Sequence, residues 1–133
     1  MRKFAGFFKS MDGQALVEMA VTLPVLLLLF MGIFEFGRIL GAYMIISDLA
    51  REGARYGVVG HDDAEIETLV SSRHAWLDGE KINIIITPPF AEREKGEALT
   101  VKIDYAVDLL TPFLSNILPN PVQLSSQCLM RVE

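Results

Sequence analysis

One cysteine, Cys128, stands in 133 residues. It excludes an internal disulfide, so any exported part of this chain has to hold together by packing. Two roles remain open to the thiol: a bond to another chain, or a small apolar filler. Positive charge is also scarce, with 12 Lys and Arg against 17 Asp and Glu and a net charge of −5. Arg2, Lys3 and Lys9 against Asp12 give the first 13 residues +2, so the rest carries −7. Such an acidic body is a poor partner for nucleic acid. There is no glycine-rich phosphate loop and no aromatic array on which bases could stack.

Catalytic sets are missing too. Only two histidines occur. His61 adjoins Asp62 and Asp63, and His74 lies further along, but neighbouring side chains in a turn rarely converge on one ion. Asp62 has a simpler role as a helix cap. Ser71 and Ser72 near His74 lack the base and orienting group that a nucleophile requires. Cys128 has no base at hand to make it a thiolate. No catalytic residue, metal or cofactor is expected, and no enzymatic role. Trp76, the one tryptophan, reads as a core or sheet-edge residue.

What is present is apolar length. Met19 to Phe34 is 16 residues without a charge, diluted only by Thr22, Pro24 and Gly32. Ile39 to Ile46 is again uncharged. With Ala15–Val17 this makes about 30 membrane-compatible residues, where roughly 20 span the hydrocarbon core. The basic flank ahead of them should stay cytoplasmic, which puts the C-terminal part across the membrane.

Residues 14–59 read as one continuous helix of two characters. The first half is apolar all round, as lipid or a bundle of like helices requires. Pro24 within it removes a backbone hydrogen bond and should bend the helix, which membrane segments tolerate. The second half is amphipathic. Ala42, Ile45, Ile46, Leu49, Gly53 and Tyr56 form one stripe, opposite Asp48, Arg51, Glu52 and Arg55. At 1.5 Å per residue the helix spans about 69 Å, more than twice a bilayer core. One half therefore lies outside the membrane, and its stripe needs a cover.

The remaining residues supply that cover. Asp62 with Glu65 makes a capping-box pattern for a second helix. Ile66, Leu69, Val70 and Leu77 would be its buried stripe, and Gly79 its stop. "KINIIITPP" alternates at Ile82, Ile84 and Ile86 before two prolines end it. "AEREKGE" reads as a solvated charged turn. "ALTVKIDYAV" turns Leu99, Val101, Ile103, Tyr105 and Val107 to one face. "VQLSSQCLMRVE" does the same with Val122, Leu124, Ser126, Cys128, Met130 and Val132. Three such strands make an antiparallel sheet with one solvated face. "TPFLSNILPNP" reads as a short helical turn closing an end of the core. The expected fold is α+β: a long membrane-spanning helix whose second half packs on a small antiparallel sheet, with one extra short helix. Its parts are a basic leader (1–13), the long helix (14–59) and a small α+β head (60–133).

Charges in the apolar region ask for a purpose. Glu35 and Arg38 are three apart and can pair on one face. They either mark the membrane boundary or pair between chains in a helical bundle. Glu18 stands at the mouth of the apolar run, five residues after Gly13.

"GQALVEMAVTLPVLLLLFMGIFEFGRILGAYMIISDLAREGARYGVV" resembles the N-terminal region of TadE-like proteins, pilin-like components of tight-adherence (Tad/Flp) pilus systems. The small-residue stretch "DLAREGARYG" and the ending "VKIDYAVDLLTPFLSNILP…LSSQCLMRVE" are similar as well. The spacing of Gly13 and Glu18 before an apolar helix resembles a type IV-like prepilin signal. The resemblance implies cleavage after Gly13 by a prepilin peptidase, leaving Gln14 as the new N-terminus and Glu18 as the fifth mature residue. The apolar stretch follows the cut and is retained, unlike a secretory signal. A new α-amino group near the membrane is costly unless paired. Glu18 of one subunit can neutralise the amino group of Gln14 on a neighbour, or it can simply reach the cytoplasmic headgroups. The implied protein is a single-pass inner-membrane, pilin-like subunit with a periplasmic head. Its partners are the peptidase, other pilin-like subunits and the pilus assembly machinery, and its extracellular destination is the pilus. The alternative is a membrane-anchored scaffold of the machinery that is never polymerised.

Overall fold

The computed structural model describes residues 11–133, with the side chains of Met11 and Asp12 excepted. The leader residues Arg2, Lys3 and Lys9 lie outside the described residues. Helix α1 runs unbroken from Met11 to Val58, 48 residues, or about 72 Å at 1.5 Å per residue. Pro24 lies inside it without ending it. Thr22 Oγ1 donates to the Glu18 carbonyl at 2.8 Å one turn earlier.

The two halves of α1 differ as their sequences require. From Leu16 to Phe36 the large apolar side chains are exposed on every side. A helix so apolar and so uncovered is long enough to cross a membrane. Beyond Arg38 one face goes under cover. Ala42, Ile46, Leu49, Ala50, Ala54 and Val58 are buried against the rest of the chain.

Helix α2 (Asp63–Arg73) starts on the expected capping box. The Asp62 side chain accepts from the Glu65 N–H at 2.8 Å, and Glu65 Oε2 accepts from the Asp62 N–H at 3.1 Å. It ends at Arg73, earlier than Gly79, with His74 as C-cap. Ala75 follows with φ 53°, a left-handed residue that turns the chain out of the helix. Leu77 is therefore buried from this turn and not from the helix. Trp76 belongs neither to the core nor to the sheet edge. It is 56% exposed and lies over Gly41 of α1.

The strands β1 (Ile82–Thr87), β2 (Ala98–Val107) and β3 (Val122–Arg131) form one antiparallel sheet in the order β1-β2-β3. Ile84 pairs with Ile103, and Ile103 pairs with Ser126. The alternation selects one face for the core, with Leu99, Val101, Ile103, Tyr105 and Val107 all buried under α1. Gly57 lets helix and sheet approach closely: a Cβ there would lie 2.5 Å from Leu99 Cδ2 and 2.8 Å from Ile66 Cδ1. The α+β fold, with a long apolar helix, one further helix and a three-stranded antiparallel sheet, is as the sequence indicates. Cys128 is half-buried on the core side, a small apolar filler.

Two loops differ from expectation. "AEREKGE" is not wholly solvated, since the Arg93 side chain is only 4% exposed. Arg93 donates to the carbonyls of Pro88 at 3.2 Å and His61 at 2.9 Å, and pairs with Asp63. Its guanidinium ties α2 to the β1–β2 connection, because five donors in a fixed fork can satisfy three acceptors at once. "TPFLSNILPNP" does hold a turn of 3₁₀ helix at Leu114–Asn116. Yet it leaves Phe113, Ile117 and Leu118 exposed instead of sealing the core.

Candidate functional site

Two groups of polar and charged residues flank the exposed apolar stretch of α1, one at each end. Gly13, Gln14 and Glu18 occupy the first end. All three are exposed and helical. Gln14 Nε2 donates to Glu18 Oε1 at 3.2 Å, so the two side chains meet along one turn of the same helix. A carboxylate in this position has no other bond among the described residues and faces outward. Chemically it can accept a hydrogen bond or pair with a cation brought by another molecule.

The second group is more enclosed. Glu35 is 1% exposed, the one buried acid among the described residues. Its Oε1 takes the Arg38 guanidinium at 2.6 Å. Its Oε2 takes the backbone N–H of Leu110 and the hydroxyl of Thr111, each at 3.1 Å. Arg38 also reaches the Asp108 carbonyl at 3.4 Å. Burying a carboxylate is costly unless it is paired and hydrogen-bonded, and this one has three donors. The reading of Glu35 and Arg38 as boundary marker or interchain pair did not include Leu110 and Thr111. No local pattern signals them, because they lie 75 and 76 residues away along the chain.

Residues remote from α1's apolar half do structural work. His61 stacks on Tyr56 with ring centroids 3.5 Å apart, and its Nδ1 lies 2.9 Å from Glu65 Oε2. His74 donates from Nδ1 to the Leu77 carbonyl at 2.7 Å. Asp104 carries a carboxyl held below its ordinary value of 3.8, first by a hydrogen bond from Ser125 and then by Lys102. Lys81 is raised above its ordinary 10.5, chiefly by its hydrogen bond to Asp108. A surface hollow is lined by Asp48, Arg51, Glu52, Arg55, Tyr56 and Arg73 among others. It is built of charges of both signs, with Arg73 and Glu52 already paired across it.

The arrangement is thus an exposed apolar helix with an outward carboxylate at one end and a buried one at the other. Comparison with protein families gives the same segment a family. Residues 13–55 match the TadE-like protein family. The TadE-like segment begins at Gly13 and takes in Glu18, Glu35, Arg38 and the helix as far as Arg55. The match covers the helix and not the sheet, and that helix fits a single-pass membrane anchor. Neither the curated proteins nor the solved structures provide a match to this chain.

Proposed function

We propose that this TadE-like chain is a pilin-like subunit of a Tad-type adherence pilus. It divides into a leader at 1–13, the long helix at 14–59 and the head at 60–133. The leader and N-terminus stay cytoplasmic, α1 crosses the inner membrane, and the head lies in the periplasm. A prepilin peptidase cuts between Gly13 and Gln14. The freed amino group of Gln14 then pairs with Glu18 of a neighbouring subunit as the helices gather.

The carrying observation is the family match that begins at Gly13, on a helix whose apolar half is left uncovered by the described residues. A single subunit leaves that half for lipid or for other helices. Glu18, exposed at the entry to the apolar stretch, supplies a polar contact with a defined position along it. Within hydrocarbon an unpaired ammonium or carboxylate is costly, so pairing favours one register over others.

The test is Glu18→Ala in cells that make the pilus. Membrane insertion should persist, while the protein disappears from sheared surface filaments. Unchanged recovery from filaments would overturn the pairing. Absence of the wild-type protein from filaments would instead favour a scaffold that is never polymerised.

A further inference from the structure

The connection between β2 and β3 is unusual in both composition and position. After Asp108 no charged residue occurs until Arg131. Leu110 is 65% exposed, Phe113 63%, Ile117 79% and Leu118 41%. Four large apolar side chains exposed on one loop make a surface that water does not favour. The charges collect at its root instead: Lys81 pairs with the Asp108 side chain, and Arg38 donates to the Asp108 carbonyl.

The loop's position follows from Glu35. Through its bonds to Leu110 and Thr111, this buried carboxylate fixes the start of the loop against α1. Glu35 directly follows Phe34, the last residue of the exposed apolar stretch before a charge. From Ala15 to Phe34 is 20 residues, about 30 Å of helix, which matches the bilayer hydrocarbon thickness. If α1 spans a bilayer over that stretch, the loop root is at the hydrocarbon boundary.

We infer that the β2–β3 loop is a second membrane contact, with Leu110, Phe113, Ile117 and Leu118 seated in the interfacial layer of the bilayer beside α1. This rests on the membrane-spanning reading of α1 above. The occupant of the apolar surface is lipid, since the loop root is fixed at Glu35, where the exposed apolar half of the helix ends. Apolar side chains at such a boundary enter about 5–10 Å below the headgroups, and nearby Arg and Lys meet lipid phosphate. The loop then fixes the rotation and tilt of the head, which a single helix leaves free. Glu35 is the positioning residue: it holds the loop at the right height without touching lipid.

The test uses the full chain in phosphatidylcholine–phosphatidylglycerol vesicles, with the native fluorophore removed by Trp76→Phe. Single tryptophans are introduced as Phe113→Trp, Ile117→Trp, Leu26→Trp and Phe90→Trp. Quenching is read with lipids brominated either high or low on the acyl chain. Phe113→Trp and Ile117→Trp should each lose about half of their emission to the shallow quencher and less to the deep one. Leu26→Trp should be quenched most by the deep label, and Phe90→Trp, on the β1–β2 connection, by neither. Red-shifted, unquenched emission from the two loop positions would overturn the inference, placing the loop in water. Blue-shifted but unquenched emission would overturn it too, showing that another copy covers the loop. Equal quenching at Phe90→Trp would overturn a specific loop contact. Failure of Leu26→Trp to quench would refute the membrane span itself, and the loop contact with it.

Discussion

The Thr111 hydroxyl donates to Glu35 Oε2 at 3.1 Å, joining residues 76 apart in the chain. Together with the Arg38 guanidinium and the Leu110 N–H, it fills the carboxylate's acceptor positions from three directions. This cluster fastens the near end of the sheet to α1, while Gly57 and the Glu133 N–H bonded to the Val58 carbonyl mark the far end. The head is thus held along the outer half of the helix at both limits. Orientation of head to helix is set by chemistry at two points as well as by the apolar core between them.

Glu35→Ala should lower the stability of the head by about 2–3 kcal/mol, because it strands the half-buried Arg38 guanidinium and two further donors together. Thr111→Val removes one of the three bonds and should cost about 1 kcal/mol. Amide exchange in detergent micelles distinguishes them. Protection at residues 108–111 should fall sharply in Glu35→Ala and slightly in Thr111→Val.

Gly57→Ala should destabilise the head by about 1–2 kcal/mol, since overpacking against Leu99 and Ile66 outweighs the helix preference of alanine. Gly37→Ala meets nothing within 4 Å and should instead stabilise α1 by up to about 1 kcal/mol. Thermal unfolding of the two variants side by side should show shifts of opposite sign.

Asp104 ties stability to acid. Its folded carboxyl lies below the ordinary 3.8 because Ser125 and Lys102 favour the ionised form. The contribution is therefore complete above the unfolded value and is lost as pH falls through the folded one. Since the group is partly exposed, the effect is below about 1 kcal/mol. Acid titration of Asp104→Asn should show a shallower loss of stability below the ordinary carboxylate value than the parent chain.

Much of the fold was legible from period and composition. The long helix, the capping box at Asp62 and three alternating strands all have local signatures. The core face of α1 was only partly visible. Ala50, Ala54 and Gly57 are buried along with Ile46 and Leu49, but small residues carry little hydropathy signal. Leu77 fitted the stripe of α2, yet the chain leaves that helix before reaching it, a break set by Ala75 that no strong breaker announces. Arg93 looked like one charge in a solvated run. Its burial depends on three acceptors supplied by other elements. For the same reason the sequence presented Glu35 with Arg38 but not with Thr111: a long-range partner leaves no periodic trace. Glu18 drew notice as a charge at the mouth of the apolar run, while the cut between Gly13 and Gln14 came from a resemblance to prepilin signals; the processing and assembly roles are the proposal made above.

The central claim is that this chain is a processed, pilin-like subunit, and the mass of its mature N-terminus tests it most directly. Protein extracted from membranes of cells with an active prepilin peptidase should begin at Gln14, with the first 13 residues removed. A chain that keeps Met1 and the residues through Gly13 in those cells would contradict the account.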